Sequence, residues 1–175
     1  MTTSSDPVHD DSKNTDISED DINKAQQEWC DRLVAISRAY RNRQDYRKLA
    51  NDMIDDLYDF TTGQTFFRPT LASSPYNFRT TREGALSYFI NENPKYDDEG
   101  FALKTWESAW YDNDVDDIRA IQRHGPIGLA MGHVHLSDRE VGGNVTTVDK
   151  TFVYLKRTDG SVRMIVHMSA LTNPE

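Results

Sequence analysis

The residues of this chain whose types could do chemistry fall in a few short stretches, and the last of these is the most informative. Val162-Arg163-Met164-Ile165-Val166-His167-Met168-Ser169 reads as a β-strand that ends in polar groups. Side chains alternate between the faces of a strand, so Ile165, His167 and Ser169 share one side and Val162, Met164, Val166 and Met168 the other. The second side is apolar throughout. The first turns from apolar to hydrogen-bonding near its end, which suits a strand that packs in a core over its first half and lines a cavity over its second.

Two other stretches invite a metal. His133 and His135, at i and i+2 on a strand, point the same way and would share a zinc ion with His167 as third ligand. Leu129 and Met131 lie on that same face, which equally suits partly buried residues or an exposed patch, and an open three-histidine site also needs partners behind its ligands. No metal is expected. Asp112-Asn113-Asp114-Val115-Asp116-Asp117 has the acidity of a calcium loop, but Asp117 stands where the turn glycine belongs and Arg123 where the bidentate glutamate belongs. A solvated acidic loop is expected there. Cys30 is the single cysteine, so neither an internal disulfide nor a thiolate cluster is available.

The composition bounds what these residues can serve. At 175 residues the chain is long enough for one domain with a sizeable core, and a hydrophobic fraction of 37% with 28% charged residues describes a water-soluble protein. A formal net charge of -9 without a basic cluster argues against a nucleic-acid partner. No apolar run approaches the roughly 20 residues that span a bilayer, and Met1-Thr2-Thr3-Ser4-Ser5-Asp6 has neither a basic nor an apolar leader region. No membrane partner and a cytoplasmic location are expected.

The elements that must position the polar residues follow from periodicity. Residues 1–17 are mostly Ser, Thr, Asp and Asn and read as a disordered tail, leaving a single domain over 18–175. Ser18 has the look of an N-cap, followed by Glu19, Asp20 and Asp21 at the positive end of a helix. Behind it Ile22, Ala25, Trp29, Leu33, Ile36 and Tyr40 form an amphipathic stripe. Asp45 caps a second helix with Tyr46, Leu49, Ala50, Met53, Ile54, Leu57 and Tyr58 inward, folded back on the first across a short link. A short edge strand, 65–70, precedes a third helix opened by the capping-box spacing Thr80 to Glu83 and stopped before Pro94. From Phe101 the pattern is antiparallel strands, 101–111, 127–136, 145–156 and 162–169, with turns at Gly142-Gly143-Asn144 and Thr158-Asp159-Gly160. Helices first and a long meander after them give an α+β fold, with helices packed on one face of a strongly curved, mainly antiparallel sheet and a pocket between.

Five stretches then become specific: Phe67-Arg68-Pro69-Thr70-Leu71-Ala72-Ser73, Gly84-Ala85-Leu86-Ser87-Tyr88-Phe89, Gly100-Phe101-Ala102-Leu103-Lys104-Thr105-Trp106, Leu129-Ala130-Met131-Gly132 and His167-Met168-Ser169-Ala170. In unbroken order over about residues 20–173, the chain resembles the iota-class carbonic anhydrases. That family is a branch of the SnoaL-like, nuclear transport factor 2-like superfamily, related to the association domain of calcium/calmodulin-dependent kinase II. The resemblance implies a cone-shaped fold, a homodimer, no cofactor, and reversible hydration of CO2 to bicarbonate. By local motif it also implies a site of Thr70, Tyr88 and Ser169, converging between the third helix and the sheet. The alternative reading is a non-catalytic assembly or ligand-binding module of the same fold.

The chemistry is compatible with those residue types. CO2 needs an apolar wall, bicarbonate needs fixed donors where oxygen charge grows, and three hydroxyls can orient a water and hold the product oxyanion. Without a metal, nothing in this set lowers the pKa of water from about 15.7. Tyr88 would need polarising, and His167 is the nearest candidate, as a substrate-binding or supporting residue. The family ends this strand in His-His-Ser-Ser, so Met168 and Ala170 are departures, on the side opposite His167 and Ser169.

Overall fold

A computed structural model describes residues 15–139 and 144–172. Most of the expected tail, the Gly142-Gly143 turn and the last three residues lie outside these. The chain opens with α1 (Glu19–Arg41), whose capping box closes at Ser18 and Asp21: the Asp21 amide donates to Ser18 Oγ (3.0 Å) and the Ser18 amide to the Asp21 carboxylate (2.8 Å). Ile17, assigned above to the tail, is buried and its amide donates to the Gly125 carbonyl, so the packed domain starts one residue earlier than the composition implies. Gly128 makes room for it, since a Cβ there would meet the Ile17 and Ile22 side chains at 3.0 and 2.7 Å.

The α1 stripe buries Ile22, Trp29, Leu33 and Ile36 as expected, but Tyr40 is 43% exposed. It lies at the corner where α1 turns into α2 (Tyr46–Leu57) and packs edge-on against Tyr46 instead. After β1 (Phe66–Arg68), α3 (Arg82–Ile90) is capped by Thr81, one residue later than the capping-box spacing implies, because Thr81 Oγ1 accepts from the Gly84 amide. It ends at Asn91, which takes the left-handed conformation, before Pro94 has to stop it. A single 3-10 turn, Phe101–Leu103, replaces the start of the first long strand.

The strands are β2 (Trp106–Asp112), β3 (Asp114–Val115), β4 (Ile118–Arg119), β5 (Ile121–His124), β6 (Ile127–Asp138), β7 (Val145–Lys156) and β8 (Val162–Leu171). The main sheet runs β1-β8-β7-β6-β2, with β5 also on β6; all neighbours are antiparallel except β1 and β8. The helices pack on its inner face, giving the expected α+β architecture. The acidic segment is a tight β3–β4 hairpin rather than an open loop, with Asp116 and Asp117 both left-handed in its turn. Its base is fixed because Asn113 turns inward and exchanges two amide hydrogen bonds with buried Gln26 of α1 (2.9 and 2.8 Å).

The last strand departs from simple alternation. Val166 pairs with Val153 but Met164 pairs with Tyr154, so Ile165 is an extra residue opposite none, a β-bulge. The face changes phase there: Met164, His167 and Ser169 point inward and are buried, and Ile165 does not share their side. The expected grouping of Ile165 with His167 and Ser169 is thereby corrected.

β6 passes the end of β2 at Gly132, where a Cβ would stand 2.0 Å from the Asp112 carbonyl oxygen and 2.9 Å from Asn113 Cα. Gly132→Ala must push two backbones apart. It is expected to destabilise the fold by about 3 kcal/mol or more, read as a lower urea midpoint with an unchanged slope.

Candidate functional site

β1 and β8 run side by side with Phe67 opposite His167 and Arg68 opposite Met168. This brings the residues after Pro69 alongside the end of β8, and Arg68 fastens the join by donating to the Ser169 carbonyl (2.8 Å). The Thr70 and Ser169 hydroxyls are hydrogen-bonded to each other. Tyr88 reaches the same place from α3. Its phenol lies beside the Thr70 hydroxyl and the Leu71 backbone, yet it is buried without completing a hydrogen bond to either. Burial holds this phenol un-ionised, well above the ordinary tyrosine range.

Three elements therefore carry one hydroxyl each to one spot, and one of those hydroxyls lacks a partner. A buried hydroxyl without a partner costs on the order of 1–3 kcal/mol, which a bound oxygen would relieve. Two aromatic rings pack on the phenol: Phe67 meets Tyr88 edge-on and Phe101 stacks on it, both with ring centres 5.5 Å away. A cavity of about 250 Å3 opens against Tyr88, bounded by Leu71, Asp97, Glu99, Phe101 and Lys104. Behind it Arg79 and Asp98, both buried, pair at 2.5 Å, and Asp98 also accepts from Ser87 of α3 (2.7 Å). This pair fixes α3, and hence Tyr88, against the loop after β1.

His167 is placed differently from expectation. Its ring packs on Phe67 (4.5 Å between centres), but both nitrogens are engaged elsewhere: Nδ1 with the Tyr58 hydroxyl (2.9 Å) and Nε2 with Lys150 Nζ (3.0 Å). It does not polarise Tyr88. Tyr58 in turn accepts from Trp29 Nε1 (3.0 Å), and the Lys150 amine lies over the Trp29 ring at 4.8 Å. A buried chain Trp29, Tyr58, His167, Lys150 thus runs behind the three hydroxyls. Burial holds His167 neutral, far below the ordinary histidine range, with Lys150 adding to the effect, and pulls the Lys150 amine down to about 7. Lys150 went unrecognised in the sequence, although the signal was there: it occupies an inward position of β7 between Val148 and Phe152, where a charge is out of place.

His133 and His135 point to the outer face of the sheet, opposite to His167. They bond Asp149 (3.2 Å) and Thr147 (3.0 Å), so the three histidines do not form a ligand set, and no cluster suited to a metal occurs among the described residues. Met168 and Ala170 also lie on the outer face, away from the three hydroxyls.

Residues 20–171 match the sequence model of a family described as metal-independent carbonic anhydrase. The chain is 40% identical over 161 residues to the metal-independent carbonic anhydrase of Nostoc sp., covering 90% of this chain and 75% of that protein. Among solved structures it is similar to an iota-carbonic anhydrase from a cyanobacterium complexed with bicarbonate (39% identity, 93% and 96% of the two chains, TM-score 0.85). It also shares its fold with a putative calcium/calmodulin-dependent protein kinase II association domain from Xanthomonas campestris (19% identity, 85% and 83%, TM-score 0.52).

The buried amine sets a pH dependence of stability. With a folded value of about 7 and an unfolded value of about 10.4, the unfolded state binds more protons between these limits, so this group's contribution to stability rises with pH across the window and is lost as pH falls. Lys150→Met is expected to raise the melting temperature at neutral pH, with a gain that shrinks towards about pH 10; thermal melts of both proteins across that range check it.

Proposed function

Because the chain belongs to the metal-independent carbonic anhydrase family, its activity is the reversible hydration of CO2 to bicarbonate, and we propose that the hydroxyls of Thr70, Tyr88 and Ser169 perform it. The single observation that carries this assignment is the unpartnered, buried Tyr88 hydroxyl beside the bonded Thr70 and Ser169 pair. The Phe67 and Phe101 rings beside Tyr88 suit CO2, and the hydroxyls suit the anion that the cyanobacterial relative holds. In the hydration direction, Thr70 and Ser169 orient the water, and Tyr88, kept protonated by burial, donates to the oxygen on which charge grows. His167 supports the site from behind, by packing on Phe67 and holding the inner hydrogen-bond chain.

A homodimer through the outer sheet face belongs to the same reading. Met131 (49% exposed) and Met168 (51%) flank a groove of about 260 Å3 on that face, where an exposed apolar surface favours a second copy. No helix among the described residues is long and apolar enough to cross a membrane. We assign the cytoplasm as compartment, which a lone buried thiol suits.

Ser169→Ala and Tyr88→Phe are each expected to lower CO2 hydration by about tenfold to a thousandfold as lost donors. A chelator and the His133→Ala/His135→Ala pair are expected to leave hydration near wild type. Activity lost with chelator and restored by zinc would refute the hydroxyl assignment, and no hydration under any condition would favour the non-catalytic module. For the interface, Met168→Glu is expected to turn a dimer into a monomer in sedimentation analysis, because it places a charge in the apolar contact.

A further inference from the structure

The cavity against Tyr88 differs in character between its inner and its solvent end. Inside, the Tyr88 hydroxyl is buried and unpartnered, with the Phe67 and Phe101 rings packed on its phenol. Towards solvent the lining is charged: Asp97 and Glu99, both exposed, and Lys104, whose side chain is 37% exposed. Asp98 also lines the cavity, but its carboxylate is engaged by Arg79 (2.5 Å) and Ser87 (2.7 Å). Lys104 is thus the one cation on the cavity wall among the described residues. The chain as a whole has a formal net charge of -9 and repels anions, so where an anion is held depends on single cations placed like this one.

The fold uses the backbone of Lys104 and leaves its ammonium free for a ligand. The Lys104 carbonyl accepts from Ser37 Oγ of α1, and the turn before it is closed by the Leu103 amide on the Gly100 carbonyl (2.8 Å) and by Trp106 Nε1 on the Phe101 carbonyl (2.8 Å). Phe101 and Lys104 stand three residues apart across that 3-10 turn, the spacing at which side chains lie one above the other, and both line the cavity. The ammonium is therefore carried on the side of the ring that stacks on Tyr88. Its one carboxylate partner among the described residues is Glu99 at 3.9 Å, beyond hydrogen-bond reach, and the Glu99 side chain is 82% exposed. Such a contact contributes little to stability. A volume of about 250 Å3 has room for an anion of four heavy atoms together with waters, each of which takes about 30 Å3 in the liquid.

Resting on the carbonic anhydrase reading above, we propose that Lys104 is an anion-binding residue of this site: bicarbonate formed at the hydroxyls is held through its charge by the Lys104 ammonium in the outer part of the cavity, and replaces Glu99 as its partner. CO2 has no net charge and passes Lys104 without being held. Asp97 and Glu99 oppose the anion, so it is bound weakly, and Glu99 returns to Lys104 as bicarbonate leaves. Lys104 acts on the anion and not on the attack at carbon, because a full negative charge exists only once the proton has left the attacking water.

The test reads bicarbonate affinity directly. Calorimetric titration with bicarbonate, near pH 8 at fixed ionic strength, is expected to give Lys104→Met a Kd about tenfold above wild type, Lys104→Arg a Kd within about threefold of it, and Glu99→Gln a Kd about threefold below it. In kinetics, the KM of Lys104→Met for bicarbonate in dehydration is expected to rise by about tenfold, while kcat/KM stays within about threefold in both directions, as loss of ground-state binding alone requires. The opposite shifts of Lys104→Met and Glu99→Gln are the signature, since a purely structural ion pair would lose by either change. Bicarbonate binding that is unchanged in Lys104→Met, equally weak in Lys104→Arg, or not tightened in Glu99→Gln overturns this inference and leaves the hydroxyl site standing. A wild-type chain that neither binds bicarbonate nor hydrates CO2 overturns both. Glu99 is largely exposed, so the Glu99→Gln result decides even where a Lys104 variant fails to fold.

Discussion

One extra residue in the last strand governs what the inside of this molecule contains. With Ile165 bulged out, Met164 keeps its place in the core against Tyr154 while His167 and Ser169 are turned to the same inner face. Without the bulge, a strand with Met164 inward would send both polar residues outward, because a shift of one residue exchanges the faces of everything beyond it. Met168 and Ala170 then face outward for the same reason, so the departures from the family ending fall on the outer face of the sheet and not where the hydroxyls meet.

Turning His167 inward imposes a second constraint. An imidazole buried among Trp29, Tyr58, Phe67 and Phe152 needs partners for both nitrogens, and of these rings Tyr58 can serve only one of them, through its hydroxyl. Tyr58 and Lys150 provide them, which joins α1, the end of α2, β7 and β8 through one file of hydrogen bonds. Burial disfavours the charged form of Tyr58, His167 and Lys150 alike, in keeping with the high cost of unpaired charge in such surroundings. Lys150 and Ser169 are cross-strand partners of β7 and β8, so this file of hydrogen bonds and the candidate site share the same pair of strands.

The site itself is held by separate means. Arg68 fixes β1 to the Ser169 backbone, and the Arg79–Asp98 pair with Ser87 fixes α3, so Thr70, Ser169 and Tyr88 are each anchored by a neighbour within a few residues. Such anchoring leaves Tyr88 little freedom to satisfy its own hydroxyl. A buried donor left without a partner between the Phe67 and Phe101 rings is open to an oxygen acceptor brought by a ligand.

Periodicity and capping chemistry in the sequence were enough to define the three helices, the long strands and the α+β class, because each is a local consequence of side-chain spacing: Ser18 with Asp21, Asp45 before α2, and the alternation of β6 and β7. Thr70, Tyr88 and Ser169 came only from the resemblance to the family, carried by the local motifs around them; side-chain spacing by itself did not single them out. The tertiary structure decided what depends on contacts between distant residues. It placed Ile17 in the core, made the acidic segment a hairpin through the Gln26–Asn113 amide pair, and put His133 and His135 on the face opposite His167. The bulge that sets the phase of β8 arises from its pairing with β7, and the partners of His167 come from positions 58 and 150, which no local pattern brings together. Lys150 lies between these cases: its inward position was legible from alternation, but the lowering of its pKa follows only from the burial that the folded chain imposes on it.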